Sequence, residues 1–265
     1  MPFTENNGIR LHWEEKGEGA PILLVMGHRY SAAMWHPLIP ALSAAHRVIW
    51  FDNQGTGTSG ASRDLTVPQM AQDALAVMDA AGAPRAHVFG VSLGGVIVLE
   101  LAMQRPERAV SLILGCTGVK TADKPRAPAW MRVLYYLPSW VLKALTPNRG
   151  PKAGYGSAAS PEAIAYDQQV LAKDRFSRAG VAAQAKAIAD YATTTKAVAA
   201  LKMPALVLHG DEDALVPFAW GVELAETLPN SRFVGLTGCD HNFIVADGER
   251  TQREVLNFLA EVDQG

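Results

Sequence analysis

A serine framed by glycines between two apolar runs constrains this chain more than any other feature. Ala86-His87-Val88-Phe89 has the character of a short buried strand, and Val96 to Ala102 is apolar on most faces of a helix. Gly90-Val91-Ser92-Leu93-Gly94 joins them with the pattern G-x-S-x-G. A strand that turns this sharply into a helix brings the two backbones together, so the positions two before and two after the serine must lack a Cβ. The serine takes a strained backbone in such an elbow and stands at the helix N-terminus, where free N–H groups and the helix dipole favour negative charge.

The rest of the chain supplies the sheet that such a turn needs. Asn7-Gly8 predicts a hairpin between Phe3-Thr4 and Ile9 to Trp13, with Arg10 and His12 on the wet face of an edge strand. Strands are expected at Pro21–Met26 and Ala86–Phe89, both buried, and at Arg47–Phe51, Val110–Leu114, Pro204–His209 and Arg232–Leu236. Helices are expected around Met34–Ala45, irregular there because of Pro37 and Pro40, from Thr66 to Gly82, after the elbow, at Ala219–Thr227 and at Gly248–Val262. Strands alternating with helices at this spacing imply a parallel sheet covered on both faces, an α/β fold.

That alternation stops after Cys116. From about Lys120 to Ala199 no buried strand is expected; the segment is Ala-rich and broken by six prolines. Helices are clearest at Ile164–Ala172 and Ala179–Tyr191. The aromatic residues Trp130, Tyr135, Tyr136 and Trp140 cluster in its first part. They either pack the insert onto the core or line an apolar pocket beneath a lid.

Several function classes fall away on composition. A formal net charge of -2 with scattered Lys and Arg provides no basic stripe for nucleic acid. No apolar run approaches the roughly 18 residues of a membrane span. The N-terminus lacks a signal-peptide pattern, which points to the cytoplasm. Cys116 and Cys239 make no disulfide framework, and no Cys/His spacing suggests zinc. Neither a metal nor an organic cofactor is expected, and the expected partner is a small molecule.

A serine hydroxyl is a poor nucleophile unless an imidazole takes its proton, and that imidazole needs a carboxylate to fix its tautomer. On this kind of elbow the chain order is Ser, Asp or Glu, then His. Of the seven histidines only His241 follows Asp211 and Asp213, and it lies in the loop after the last strand. Asp211 directly follows the strand-ending Gly210 and is placed to cap the loop through its own backbone. Asp213 is one turn further out and better placed to face the serine.

With Met26-Gly27 through Trp35, Asp52 through Ser59, Gly90 through Gly95, His209 through Pro217 and Gly238 through His241, the chain resembles the α/β-hydrolase superfamily, in its cap-bearing, esterase- and haloperoxidase-like branch. The resemblance implies a mostly parallel eight-stranded sheet flanked by helices. It places a core at residues 1–119 and 200–265 and a helical cap at 120–199, after the sixth strand. It also implies Asp213 as the acid in H-G-x-x-D, and an oxyanion hole made by the backbone N–H groups of His28 and Leu93. Met26 and Gln54 stand where many members have histidine and arginine. The implied activity is cleavage of a carboxylic ester or lactone by Ser92, Asp213 and His241, with Trp130, Tyr135 and Trp140 at the substrate pocket. Three related functions share the scaffold. Cofactor-free haloperoxidases use the same triad. Ring-cleaving oxygenases place a carboxylate after the strand that follows the elbow, where this chain has Gly115-Cys116-Thr117-Gly118 and no acid. Ligand receptors of slow turnover keep the triad intact.

Overall fold

The computed structural model describes residues 2–118 and 152–264, and the elements named here are numbered through those residues. Asn7 and Gly8, at φ 49° and 77°, turn β1 (Phe3–Asn6) into β2 (Ile9–Lys16) as the dipeptide predicts. The remaining strands are β3 (Pro21–Val25), β4 (Arg47–Phe51), β5 (Ala86–Val91), β6 (Ala109–Gly115), β7 (Ala205–Gly210) and β8 (Ser231–Leu236). They form one eight-stranded sheet in the order β1-β2-β4-β3-β5-β6-β7-β8. Pairs β1–β2 and β2–β4 are antiparallel, and β3 to β8 run parallel to their neighbours.

Both faces of the parallel part are buried, which is why its strands read as continuous apolar runs. Leu23, Val25 and Val88 pack on one face with α2 (Val67–Ala80) and α3 (Leu93–Gln104). Ile22, Leu24 and Phe89 pack on the other with Trp35, Phe243, Phe258 and Leu259. Phe258 and Leu259 belong to α9 (Gly248–Gln264), whose buried stripe also includes Thr251 and Val255. Helix α2 starts where its sequence signals say. Thr66 accepts from the Gln69 N–H while the Gln69 side chain accepts from the Thr66 N–H, and Gly82 follows the helix at φ 63°.

The helix around Met34–Ala45 is broken as its prolines imply: a 3-10 turn at Ala32–Trp35 is followed by the four-residue α1 (Ile39–Leu42), because Pro37 and Pro40 deny a continuous backbone ladder. One expectation is corrected. His12 does not lie on a wet face. It is buried, its Nδ1 is 3.0 Å from Asp52 Oδ2, and β1 rather than β2 forms the sheet edge.

Within residues 152–199 the elements are α4 (Pro161–Leu171), α5 (Arg178–Asp190) and α6 (Thr195–Ala199), each opened by a capping hydroxyl from Ser160, Ser177 or Thr194. The α5 end lies directly on the loop after β4. The Ser177 N–H donates to Gly55 O and the Gly57 N–H to Arg175 O, both at 2.8 Å. A Cβ on Gly55 would come 2.6 Å from the Cα of Gly180, so this approach needs glycine on both sides. Trp130, Tyr135 and Trp140 lie outside the described residues. The remaining helices are α7 (Phe218–Thr227) and α8 (Phe243–Ala246). No described helix is long and apolar enough to cross a membrane.

Gln54 is buried, and its side chain donates to Asp73 Oδ2 at 2.7 Å, while Asn6 donates to Oδ1 at 2.7 Å. Both donors are neutral amides, and burial outweighs them, pushing the Asp73 carboxyl up to about 6. The native state therefore holds this proton more tightly than the unfolded chain. Its contribution to stability is complete below the ordinary carboxylate value near 4 and is lost as pH rises through about 6, a change on the order of 2–3 kcal/mol. The Asp73 carboxyl ¹³C resonance, assigned by its loss in Asp73→Asn, is expected to titrate near pH 6. In Gln54→Arg, which sets a cation beside the carboxylate, the midpoint should drop below 4. A parent midpoint near 4 would show that the two amides cancel the burial.

Candidate active site

Ser92 follows β5 directly and caps α3 at φ 56° and ψ -120°, a backbone that only surrounding contacts can hold. Those contacts are present. Its N–H donates to Gly115 O at 2.8 Å, and its carbonyl accepts from the Thr117 hydroxyl at 2.9 Å and from the Gly95 N–H at 3.0 Å. A Cβ on Gly94 would run into the Val25 carbonyl, and one on Gly90 into the Gly94 carbonyl. Gly27 closes the other side: a Cβ there would sit 3.1 Å from Ser92 Cβ and 3.8 Å from its Oγ. The loop after β3 thus lies directly against the serine.

Two N–H groups remain unused in this corner. Among the described residues, neither the His28 nor the Leu93 backbone N–H finds an acceptor. Their neighbours are tightly fastened. Arg29, at φ 78°, donates its N–H to Gln184 Oε1 at 2.9 Å, and the Ser31 N–H donates to Asp174 Oδ2 at 3.1 Å. Gln184 is fully buried and donates from its other end to the Gln54 carbonyl at 2.8 Å, so one α5 side chain ties two loops of the core together. The His28 ring faces away from chemistry at Ser92: its Nε2–H donates to Val181 O at 3.0 Å, again on α5. Burial holds the imidazole below its ordinary value despite the helpful Val181 carbonyl, which keeps it a neutral donor.

The acid and base come from the ends of β7 and β8. His241 Nδ1–H donates to Asp213 Oδ2 at 2.9 Å, which leaves its Nε2 as the free lone pair. The other Asp213 oxygen accepts from the Leu215 and Val216 N–H groups at 2.8 and 2.9 Å. Burial alone would raise the Asp213 carboxyl. Hydrogen bonds from His209, His241 and Val216, with the attraction of His241, reverse that and hold it well below the usual carboxylate range. Asp240 fixes the histidine loop by accepting from the His241 and Ala214 N–H groups at 2.7 and 3.0 Å and from Gly154 at 3.0 Å. Ser92 Oγ and His241 Nε2 are not hydrogen-bonded to each other in this geometry.

Asp211 is exposed, and its carboxylate accepts from the Gly238 N–H at 2.7 Å, so it fastens the loop after β8 instead of capping its own loop as expected. The roles of three contributors escaped the sequence reading. His209 places Nε2 3.0 Å from Val216 O and 3.3 Å from Asp213 Oδ2, so it buttresses the acid from beneath. Cys116, at φ 43° and buried beside Asp213 and His209, has its thiol pushed up by burial and by the Asp213 charge. These three make a set that could in principle take a metal, but His209 is committed to the Val216 carbonyl and the thiol is held protonated. Gln184 is the third. Its one sequence signal is a polar residue on the same helical stripe as Gly180, Ala183 and Ala187.

Comparison with known proteins bears on the fold and the family. The profile of the alpha/beta hydrolase fold family matches residues 20–247. The protein named "Putative carbamate hydrolase RutD" from Azorhizobium caulinodans is 32% identical over 273 residues, covering 100% of both chains. The enol-lactonase from Burkholderia xenovorans LB400 superposes with a TM-score of 0.83 at 26% identity, covering 98% of this chain and 100% of its own. A thermophilic esterase from Thermogutta terrifontis superposes at 0.82 with 28% identity, covering 98% and 97%. These neighbours are hydrolases of small molecules, and with most of its length matched by the family profile, this chain belongs to the α/β-hydrolase family.

Proposed function

We propose that this chain is a serine hydrolase that cleaves a carboxylic ester or lactone of a small, apolar substrate through an acyl-enzyme. The observation that carries the reading is the pair of unspent N–H groups, His28 and Leu93, beside a serine held at φ 56°. A carbonyl oxygen that enters between them gains both donors as negative charge develops. Ser92 Oγ attacks the carbonyl carbon while His241 Nε2 takes its proton. The imidazolium formed is stabilised by Asp213, whose low proton affinity keeps it a carboxylate throughout. The same proton passes to the leaving alcohol, and water activated by His241 then releases the acid. Residues 120–199 are read as a cap over this site on a core of 1–119 and 200–265, with the aromatic residues of its first part at the acyl group. The name of the Azorhizobium relative adds carbamates to the carbonyl compounds worth offering.

A panel of short and long aryl esters, lactones, carbamates and amides, with peroxide-dependent bromination as a further arm, tests the reading. Ser92→Ala is expected to remove ester hydrolysis and organophosphate labelling together; a variant that still labels would remove the serine from its role. Asp213→Asn should lower kcat by about 10⁴, since the histidine tautomer is lost, whereas Asp211→Asn should stay within about tenfold of the parent. The reverse order in folded proteins would transfer the acid to Asp211.

The Gln184 bridge yields a separate expectation. Gln184→Leu keeps the volume but strands the Arg29 N–H and the Gln54 carbonyl, at about 1–3 kcal/mol each. If Gln184 positions the His28 donor as well, kcat should fall 10-fold or more, with little change in KM and with the chemical-denaturation midpoint lowered. A folded Gln184→Leu with unchanged kcat would restrict Gln184 to packing.

A further inference from the structure

The second cluster of reactive side chains lies at the opposite end of the sheet from Ser92. His46 immediately precedes β4, His87 is the second residue of β5, and Asp263 is in the last turn of α9. Counting five residues along β5 at about 3.3 Å each puts His87 roughly 16 Å from Ser92. Both imidazoles turn the same nitrogen toward one carboxylate. His46 Nε2 is 3.1 Å from Asp263 Oδ2, and His87 Nε2 is 3.0 Å from Asp263 Oδ1. One ligand atom from each of the three residues lies within 4.8 Å of the others.

We propose that His46, His87 and Asp263 bind a divalent cation of the zinc class, which clasps the C-terminal helix to the N-terminal end of the sheet. Two imidazole nitrogens and a carboxylate oxygen are the donor set that suits such an ion. Bonds of about 2.0–2.1 Å at tetrahedral angles separate neighbouring ligand atoms by roughly 3.3 Å, close to the 3.0–3.1 Å that each Asp263 oxygen keeps from its own histidine; with one oxygen as ligand, the other histidine, within 4.8 Å, has to draw in. Support behind the ligands is present at His87, whereas the buried His46 Nδ1 has no hydrogen-bond partner among the described residues. His87 Nδ1 is 2.8 Å from the buried Ser111 hydroxyl; a hydrogen bond from Nδ1–H to that oxygen fixes the ring and presents the Nε2 lone pair.

Access is one-sided. The side chains of His46 and His87 are 6% and 1% exposed, but that of Asp263 is 37% exposed. An ion can arrive from water at the carboxylate and keep a water in its fourth position. Its ligands are separated by 217 and 176 residues in the chain, so binding them together closes most of the fold on itself. The same separation explains why no Cys/His spacing in the sequence announced the site. In the metal-free arrangement both Nε2–H groups donate to Asp263, and the cluster is a hydrogen-bonded clamp.

The test uses the full chain stripped of metal by a chelator and titrated with Zn²⁺ and with Co²⁺. Expected are one equivalent of Co²⁺ bound with the visible bands of four-coordinate nitrogen and oxygen ligation, its displacement by Zn²⁺, and a rise in Tm of about 5 °C or more at a hundredfold excess over Kd. His46→Gln and Asp263→Asn should each abolish the bands and the Zn²⁺-induced rise while leaving ester hydrolysis and the native circular dichroism intact. Asp263→Asn alters the most exposed ligand, so it serves where a buried histidine variant fails to fold. A parent whose Tm does not respond to Zn²⁺, with Asp263→Asn merely lowering the metal-free Tm, would make the cluster a clamp and overturn the proposal. So would an ion that binds both variants as it binds the parent, since it must then sit elsewhere, for example between Cys116, His209 and Asp213.

Discussion

Everything at the candidate site depends on a contact between backbones. The carbonyl of Val25, at the end of β3, lies where a side chain on Gly94 would have to be, and the carbonyl of Gly94 does the same to Gly90. Because α3 is pressed this close to two strands, the peptide between them has no room for a relaxed turn, and Ser92 takes the left-handed backbone. Strain of this kind costs of order 1–3 kcal/mol and persists only where its surroundings over-determine it. Here the surroundings are the burial of almost every side chain of α3 and the Ser92 N–H bond to β6. The helix whose apolar residues lie on most of its faces is what holds the serine in place.

The same economy extends to the loop opposite the serine. Arg29 stands at φ 78°, in the region that L residues enter only when held. The hold comes from α5, through Gln184, and from Asp174 just before it. The loop that is to present the His28 N–H is therefore set in part by the insert, and in part by the core through Asn53, which donates to the Met26 carbonyl at 2.7 Å. Insert and core share one geometry at this point. A change in how α5 lies on Gly55 would alter the donor before it altered any residue that touches substrate.

How far the chain was legible follows from these contacts. The sheet, the elbow, the Asn7-Gly8 turn and the α2 cap were all readable, because each is decided by local periodicity or by a residue whose backbone freedom is unusual. Chain order pointed to His241 but left Asp211 and Asp213 open, and Asp213 was preferred on its place in the loop and on the H-G-x-x-D pattern. His12 was misread because alternation reports which side chains are polar, not whether a polar side chain has a buried partner such as Asp52. Gln184 and Cys116 left almost no trace, since each acts on a partner far away in the chain and a single polar residue in an apolar stripe carries no address; His209 was visible as the first residue of H-G-x-x-D, but not its contact with Asp213.

Two buried carboxylates show why position alone does not define a working group. Asp73 and Asp213 are both nearly inaccessible to water. Asp73 meets two neutral amides and its proton affinity rises; Asp213 meets two imidazoles and two backbone N–H groups, and its proton affinity falls. The difference lies in the number and charge of the donors, since desolvation acts on both in the same direction. A carboxylate that must stabilise an imidazolium cannot be allowed to take up its proton, and four converging donors make that uptake unfavourable. Gln54, where relatives of this fold often carry arginine, leaves Asp73 without the cation that would give it the same protection. In this fold a buried acid is prepared for chemistry by what points at it, and only one of these two has been so prepared.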